Sequence, residues 1–446
     1  MKTRIYRLWE LVRSSFWFIP GLMIFSAIGL SFIVLAMDRR IEPDHYRAFA
    51  LLYNGGAEGA RSILSMIAGS MITVAGAAFS ITIVALTLAS SQFGPRLLRN
   101  FMRDKGNQFV LGTFTSTYIY CLLVLRSIQS VGDNVFVPGI SVTFAIALAI
   151  INVLILIYFI HHVSVSINAN RVIMVVYNEL SENMRRLFPE EFGYEFEKIE
   201  GRDRSDLIED RYAHVSDITA SQSGYLQAID IESLLKLAGE HDLRIQLSFA
   251  PGDFIVAGSK LAEVRSAEQF DEDLDEQIVD SFIIDSQRTP EQDAEFAIHQ
   301  LVEVALRSLS TGINDPFTAI TCIDHLGSAL CFLVDRAFPS PYRYDDEGTL
   351  RVIAKPLTFE GIVKAAFDQI RQYGSSSVAV TIRLLESLST IAGRIRNSEQ
   401  RQAIIRQADM IASASQDSIP EKKDRDDVKQ CYQALLYTLN QRAPSI

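Results

Sequence analysis

The chain has 446 residues, 48% of them hydrophobic, and a formal net charge of -11, enough for two to four domains. Residues 1–163 hold 13 Lys/Arg and 7 Asp/Glu, leaving 29 and 46 for the rest, so a mildly basic apolar part precedes an acidic one. That balance argues against nucleic-acid binding, which wants a basic stripe. The four cysteines form no C-x-x-C pair, which fits a reducing compartment rather than a disulfide framework.

The order of apolar segments predicts a mainly α membrane protein: four transmembrane helices plus a cytoplasmic α+β domain, made of a small β-barrel-like module followed by a helical bundle. The transmembrane domain takes residues 1–163. The basic start, Lys2 to Arg13, is followed by an apolar run too long for a signal peptide, and a first span is expected at 16–37.

The second span, 63–91, organises the membrane part. No charged residue falls between Ser62 and Ser91, and about 20 apolar residues suffice to cross a hydrocarbon core. Ser65, Gly69, Thr73, Gly76 and Ser80 recur at steps of three and four, hence along one helical face. Small and hydroxyl residues there suit close helix packing in lipid, or the lining of a narrow wet path. Arg96, Arg99, Arg103 and Lys105 then form a basic collar.

The third span, 108–128, is polar in its first half and carries Arg126 near its far end. That arginine snorkels to the headgroups or faces an outer mouth. The fourth span, 138–162, ends at His161 and His162, which sit at an interface or sense pH. Its helical pattern is expected to run on without interruption to Leu187, where Pro189 stops it. The N-terminal segment and the loops at 38–61 and 92–107 each carry four basic residues, Arg171, Arg185 and Arg186 follow the fourth span, and the loop at 129–137 carries none. The positive-inside rule then places both termini in the cytoplasm, across a bacterial inner membrane.

Residues 164–211 read as a helical extension and linker, and 212–266 as the β module. In the module, strands are expected at Tyr225–Ile229, Arg244–Phe249 and Phe254–Val256, with a short helix from Ile231. The stretch PGDFIVAGSKLAEV resembles the closing hairpin of biotinyl and lipoyl carriers, without their modified lysine between two methionines. The acidic run at 270–280 reads as a solvated linker or helix. The remainder, 267–446, reads as helical. Gly312 is expected to cap one helix at its C-terminus, and Asp315 with Pro316 to open the next. His299, Glu303 and Arg307 share a helix face, which suits a salt-bridged surface better than a metal site completed by Asp324 or His325.

The run FIIDSQRTPEQDAEFAIHQLVEVALRSLSTGINDPFTAITCIDHL, with FSITIVALTLASSQFGPRLLRNFMRD and YFIHHVSVSI, resembles a bacterial predicted-membrane-protein family of unknown function. Residues matching its pattern include Arg288, Thr289, Gln292, Asp293, Gln300, Arg307, Asn314, Asp315 and Pro316. Ala297, His299 and Thr311 depart from it, where the pattern has Gly, Arg and Pro. The resemblance implies a membrane protein with a cytoplasmic part and supplies no activity.

No G-x-S-x-G elbow, P-loop, dinucleotide fingerprint or H-E-x-x-H occurs. The expectation is therefore a non-enzyme with no cofactor and no metal: an oligomeric ion pore or transport path with a regulatory domain, or else a membrane-anchored sensor or scaffold with a cytoplasmic protein partner. Its expected surroundings are the lipid bilayer and further copies of itself.

Overall fold

A computed structural model describes residues 16–40, 53, 55–94, 104–129, 136–166, 168–189, 212–267 and 272–441. The chain divides into two compact units, Met1–Arg171 and Val172–Ile446.

The first unit contains α1 (Phe18–Arg40), α2 (Ala57–Phe93), α3 (Lys105–Ser127) and α4 (Gly139–Ser166). Its inner helix is α3: 56% of its apolar window is buried, against 17% for α1 and for α2. The tightest packing was expected of the second helix. It falls to α3 because the packing of that helix on α1 and on α2 is the most extensive in the unit. At Gly112 a side chain would put its Cβ 2.5 Å from Met23 Sδ and 3.2 Å from Pro20 Cα, so only glycine lets α3 come this close to α1.

Two apolar clusters occupy the unit. One joins Leu64 and Ala68 to Tyr120, Val124, Val142 and Ala145. The other joins Met71, Ala75 and Ala78 to Val110, Phe114 and Phe159. Between them along α3 and α4, the Asn152 side-chain amide donates to Thr117 Oγ1 at 2.8 Å.

Helix α5 (Ala169–Leu187) is separate from α4. The expected continuous helix is interrupted because Asn168 starts a new one: its side-chain Oδ1 accepts from Asn170 N at 3.0 Å, and its carbonyl accepts from Arg171 N at 3.0 Å. The linker beyond Pro189, 190–211, lies outside the described residues.

The second unit opens with two sheets. The larger has the order β1 (His214–Thr219), β5 (Lys260–Ser266), β3 (Leu243–Leu247), β8 (Leu350–Ile353), β7 (Tyr342–Tyr344). The smaller has the order β4 (Phe254–Ile255), β2 (Gly224–Ile229), β6 (Phe282–Asp285). The pair β3–β8 is parallel, with Ile245 opposite Val352, and the other pairs are antiparallel. Three of these strands, β6, β7 and β8, come from beyond residue 266.

Alternating apolar residues of both sheets share one core: Leu226, Ile245, Ile255, Leu261, Val264 and Val352. Onto it pack Leu234 of α6 (Ile231–Glu240), and Leu274 and Ile278 of α7 (Glu272–Asp280). The acidic run is therefore an amphipathic helix with its apolar side inward.

The remaining helices are α8 (Phe296–Ser308), α9 (Pro316–Val334), α10 (Phe359–Gly374), α11 (Val378–Ala392), α12 (Ser398–Ser418) and α13 (Lys422–Gln441). Helix α9 packs on α8 and α11, α10 on α8 and α12, and α13 on α11. Among the described residues, five helices are long and apolar enough to cross a membrane: α1 to α4 and α9. All four cysteines are free. Cys121, Cys322 and Cys331 are buried and Cys431 is half-buried.

Candidate functional site

On α2 the small residues fall on two faces. Leu64, Ala68, Met71, Ala75 and Ala78 are buried, whereas Ser65, Gly69, Thr73, Gly76 and Ser80 are all exposed. The alanine face serves packing within the chain, and the glycine–hydroxyl face is left outward. Two of its hydroxyls are satisfied along their own helix, Thr73 Oγ1 donating to Gly69 O at 2.8 Å and Ser80 Oγ to Gly76 O at 2.9 Å, as lipid or a close neighbour requires. A Cβ added at Gly69 or Gly76 meets nothing within 4 Å.

Of the basic collar, Arg96, Arg99 and Arg103 lie outside the described residues, and Lys105 is the exposed first residue of α3. Arg126 is exposed in the last turn of α3. The two histidines part company. His161 is exposed, while His162 Nε2 sits 2.7 Å from Asp104 Oδ2 and its ring stacks on Tyr158 at 5.4 Å. Asp104 in turn caps α3, its Oδ1 accepting from Gly106 N at 2.7 Å.

The sequence reading passed over three groups that hold this unit together. Asp38, 4% exposed, accepts from Ile140 N at 2.9 Å, Ser141 N at 3.0 Å and Ser141 Oγ at 2.5 Å, and so caps α4 from the end of α1. Arg61 Nη2 donates to Ile128 O at 3.0 Å. Asn152 is buried at mid-helix, with its Oδ1 lacking a hydrogen-bond partner among the described residues. A charge at the end of an apolar run was the available signal for Asp38, but its partners lie about a hundred residues away.

In the second unit the first part of the signature, Arg288, Gln292 and Asp293, gathers beside the β2 strand. Gln292 behaves as a surrogate strand residue: Oε1 accepts from Ile229 N at 3.0 Å and Nε2 donates to Ile229 O at 3.2 Å. Asp293 is 3% exposed and is gripped by Arg288, with Nη2 at 2.6 Å and Nε at 2.7 Å from Oδ2. Its Oδ1 accepts from Glu295 N at 3.0 Å. Gly252, at φ +98°, lies directly against this pair, and a Cβ there would stand 2.5 Å from Asp293 Oδ2.

Around the pair stand His299, with Nδ1 at 3.3 Å from Arg288 Nη1, Glu295, and Asp253, which accepts from Lys355 Nζ at 2.8 Å. Burial raises the Glu295 carboxyl above its ordinary range, and the neighbouring Asp293 carboxylate raises it further. Arg186 of α5 ties this segment down, donating to the carbonyls of Pro290 and Glu291 at 3.0 and 2.6 Å.

The second half of the signature is a helix start. Asp315 accepts from Phe317 N and Thr318 N at 3.1 and 3.2 Å and from Thr318 Oγ1 at 2.6 Å, with Pro316 at the first helical position. The Thr318 hydroxyl, then the two amides, hold the Asp315 carboxyl below its ordinary range. Gly312 does not take the left-handed position expected of it. Asn314 does, at φ 50°, a conformation asparagine tolerates because its short side chain bonds locally.

Arg307 pairs with Glu303 at 3.3 Å, as a salt-bridged face would. Asp324 instead pairs with Arg383, and His325 packs on Tyr177 at 4.5 Å between ring centroids, so neither completes a site with His299. Among the described residues no three His, Cys, Asp or Glu side chains are grouped to hold a metal.

The arrangement matches a known sequence pattern. Residues 13–390 match the family described as Predicted membrane protein (DUF2254). The chain belongs to this family. Uncharacterized proteins of Mycobacterium bovis and of Mycobacterium tuberculosis are each 32% identical to it over 381 residues, covering 84% of this chain and 72% of theirs. No solved structure matches the chain. The signature of this DUF2254 chain thus spans the Arg288–Asp293 clamp and the Asp315 cap, both of which its geometry explains structurally.

Proposed function

We propose that this protein is an oligomeric, multi-pass bacterial inner-membrane protein forming an ion path along α2, with the second unit as a cytoplasmic regulatory domain. The observation that carries this reading is the outward face of α2. Ser65, Gly69, Thr73, Gly76 and Ser80 are exposed in a single chain although the same helix has a second small face for its own packing. Copies arranged about an axis would bring these faces together.

Helices α1 to α4 are taken as the spans, because large apolar side chains such as Phe25, Ile72 and Leu154 are exposed on them. Helix α9 is taken as a core helix, since it buries Cys322, Ile323, Leu326 and Leu330 among helices and carries the Asp324–Arg383 ion pair. Basic residues at 92–107 and after α4 favour both termini inside. The path needs no chemistry, and the proposal is non-enzymatic.

The test is ion flux through the full-length protein in liposomes. Gly76→Trp and Ser80→Trp should abolish flux, while Ile150→Trp on exposed α4 should not. Absence of flux in the unaltered protein, or flux indifferent to Gly76→Trp and Ser80→Trp, sinks the reading.

The alternative is an anchored sensor or scaffold. Ile313 and Phe317, 44% and 76% exposed, flank the Asn314–Asp315–Pro316 turn and would offer a partner an apolar grip. Recovery of a stoichiometric partner that Phe317→Ser loses, with no flux, selects it.

A further inference from the structure

A cavity of about 700 Å³ opens in the second unit between α5, the C-terminal half of α9 and the chain following α11. Its wall carries four arginines, Arg185, Arg336, Arg394 and Arg396, against one carboxylate, Asp335. That excess stands out in the acidic part of the chain, where Asp and Glu outnumber Lys and Arg.

The arginines are unequally engaged. Arg396 is spent on Asp335, with Nη2 and Nε at 2.8 and 3.0 Å from Oδ1. Arg336 donates to Pro189 O at 3.0 Å and lies over the Phe332 ring, 4.5 Å from its centroid. Arg394 reaches Asp335 only at 4.0 Å, and Arg185 has no hydrogen-bond or ion-pair partner among the described residues.

Attraction to the C-terminal ends of α9 and α11 accounts for one or two such cations, not for four facing one cavity. Guanidinium groups are weakly hydrated and bind phosphate oxygens bidentately. A volume within about 300–1,000 Å³ is that of a small-molecule site. Phe332, and Tyr177 hydrogen-bonded to Ser328 at 2.8 Å, add an aromatic wall.

We propose that this cavity binds a phosphate-bearing small molecule, with Arg185 and Arg394 taking the phosphate and Phe332 packing against its body. The site stands whether or not α2 lines a path. The phosphate comes either from a soluble compound or from a lipid headgroup, and the test separates them.

Full-length protein in nanodiscs of phosphatidylcholine is titrated with inorganic pyrophosphate and with ATP by calorimetry. The same titrations are then run in phosphatidylglycerol nanodiscs. Binding that is equal in both lipids marks a soluble ligand, and binding suppressed by phosphatidylglycerol marks a headgroup. In either case the double variant Arg185→Gln/Arg394→Gln should weaken binding by ~10-fold or more, and Lys236→Gln, on α6, should not. Both substituted arginines are exposed, so folding should persist. As a second readout on unaltered protein, pyrophosphate should protect Arg185 and Arg394 from phenylglyoxal, followed by mass spectrometry. No binding of either probe in phosphatidylcholine, binding indifferent to the double variant, or modification at unchanged rates overturns the proposal.

Discussion

Replacing Asp293 by alanine is the sharpest test of how the signature segment is built. The carboxylate is 3% exposed, accepts two guanidinium bonds at 2.6 and 2.7 Å and one amide bond at 3.0 Å, and closes over Gly252. Its removal leaves Arg288, whose side chain is 20% exposed, without its main counter-charge. Breaking one side of a buried pair costs about 3–5 kcal/mol, and the partial exposure of Arg288 argues for about 3. At about 2–4 °C per kcal/mol for a large domain, the melting temperature should fall by about 6–12 °C.

The assay is thermal unfolding of the full-length protein in detergent, followed by circular dichroism. Burial raises the Asp293 carboxyl above its ordinary range despite Arg288, so the charged pair itself is costly. The paired variant Arg288→Met/Asp293→Asn should therefore recover more than half of the loss. A fall below about 2 °C for Asp293→Ala, or a paired variant less stable than the single one, would refute the reasoning.

Asp38→Ala leaves three donors at the start of α4 without their acceptor and should cost about 2–4 kcal/mol, read as earlier heat aggregation in detergent than for Arg39→Gln. Glu295→Gln should stabilise the protein at neutral pH by removing a charge penalised first by burial and then by repulsion from Asp293 and Asp253. Because the folded pKa is raised, the charged form is the penalised one. The gain should vanish as pH falls through that pKa and the wild-type carboxyl protonates, and melting curves at pH 7 and pH 4 check this. Asp315 has the opposite sign. Its folded pKa is lowered, so its stabilisation is complete above the unfolded value of about 3.9 and is lost as pH falls through the folded one. Asp315→Ala should cost about 1 kcal/mol at pH 7, and the penalty should shrink below about pH 4 in the same melting series.

Local signals reached the local structure. Uncharged runs placed four long helices, with α3 and α4 beginning within a few residues of expectation, and Asp315–Pro316 marked the start of α9 because capping is decided within four residues. Pairings between distant segments stayed hidden. Strand β8 joins β3 across about a hundred residues, and a four-residue run such as Leu350–Ile353 has no period of its own to announce it. The buried face of α2 was equally invisible, since alanine stripes and glycine–serine stripes have similar bulk and only the neighbour chooses between them. Of the signature, the cap could be read directly. The Arg288–Asp293 clamp could not, because its third side is a glycine in the turn between β3 and β4, some forty residues earlier.

The thiols have a practical consequence. A thiol reacts as its thiolate, and burial raises the Cys322, Cys331 and Cys431 thiols alike above their ordinary range, but Cys121, Cys322 and Cys331 are buried and Cys431 is half-buried. Only Cys431 needs replacing to give a chain nearly silent toward maleimides. Reporter cysteines at Ser65 or Ser80 can then map water access along that face residue by residue, without dismantling the interior.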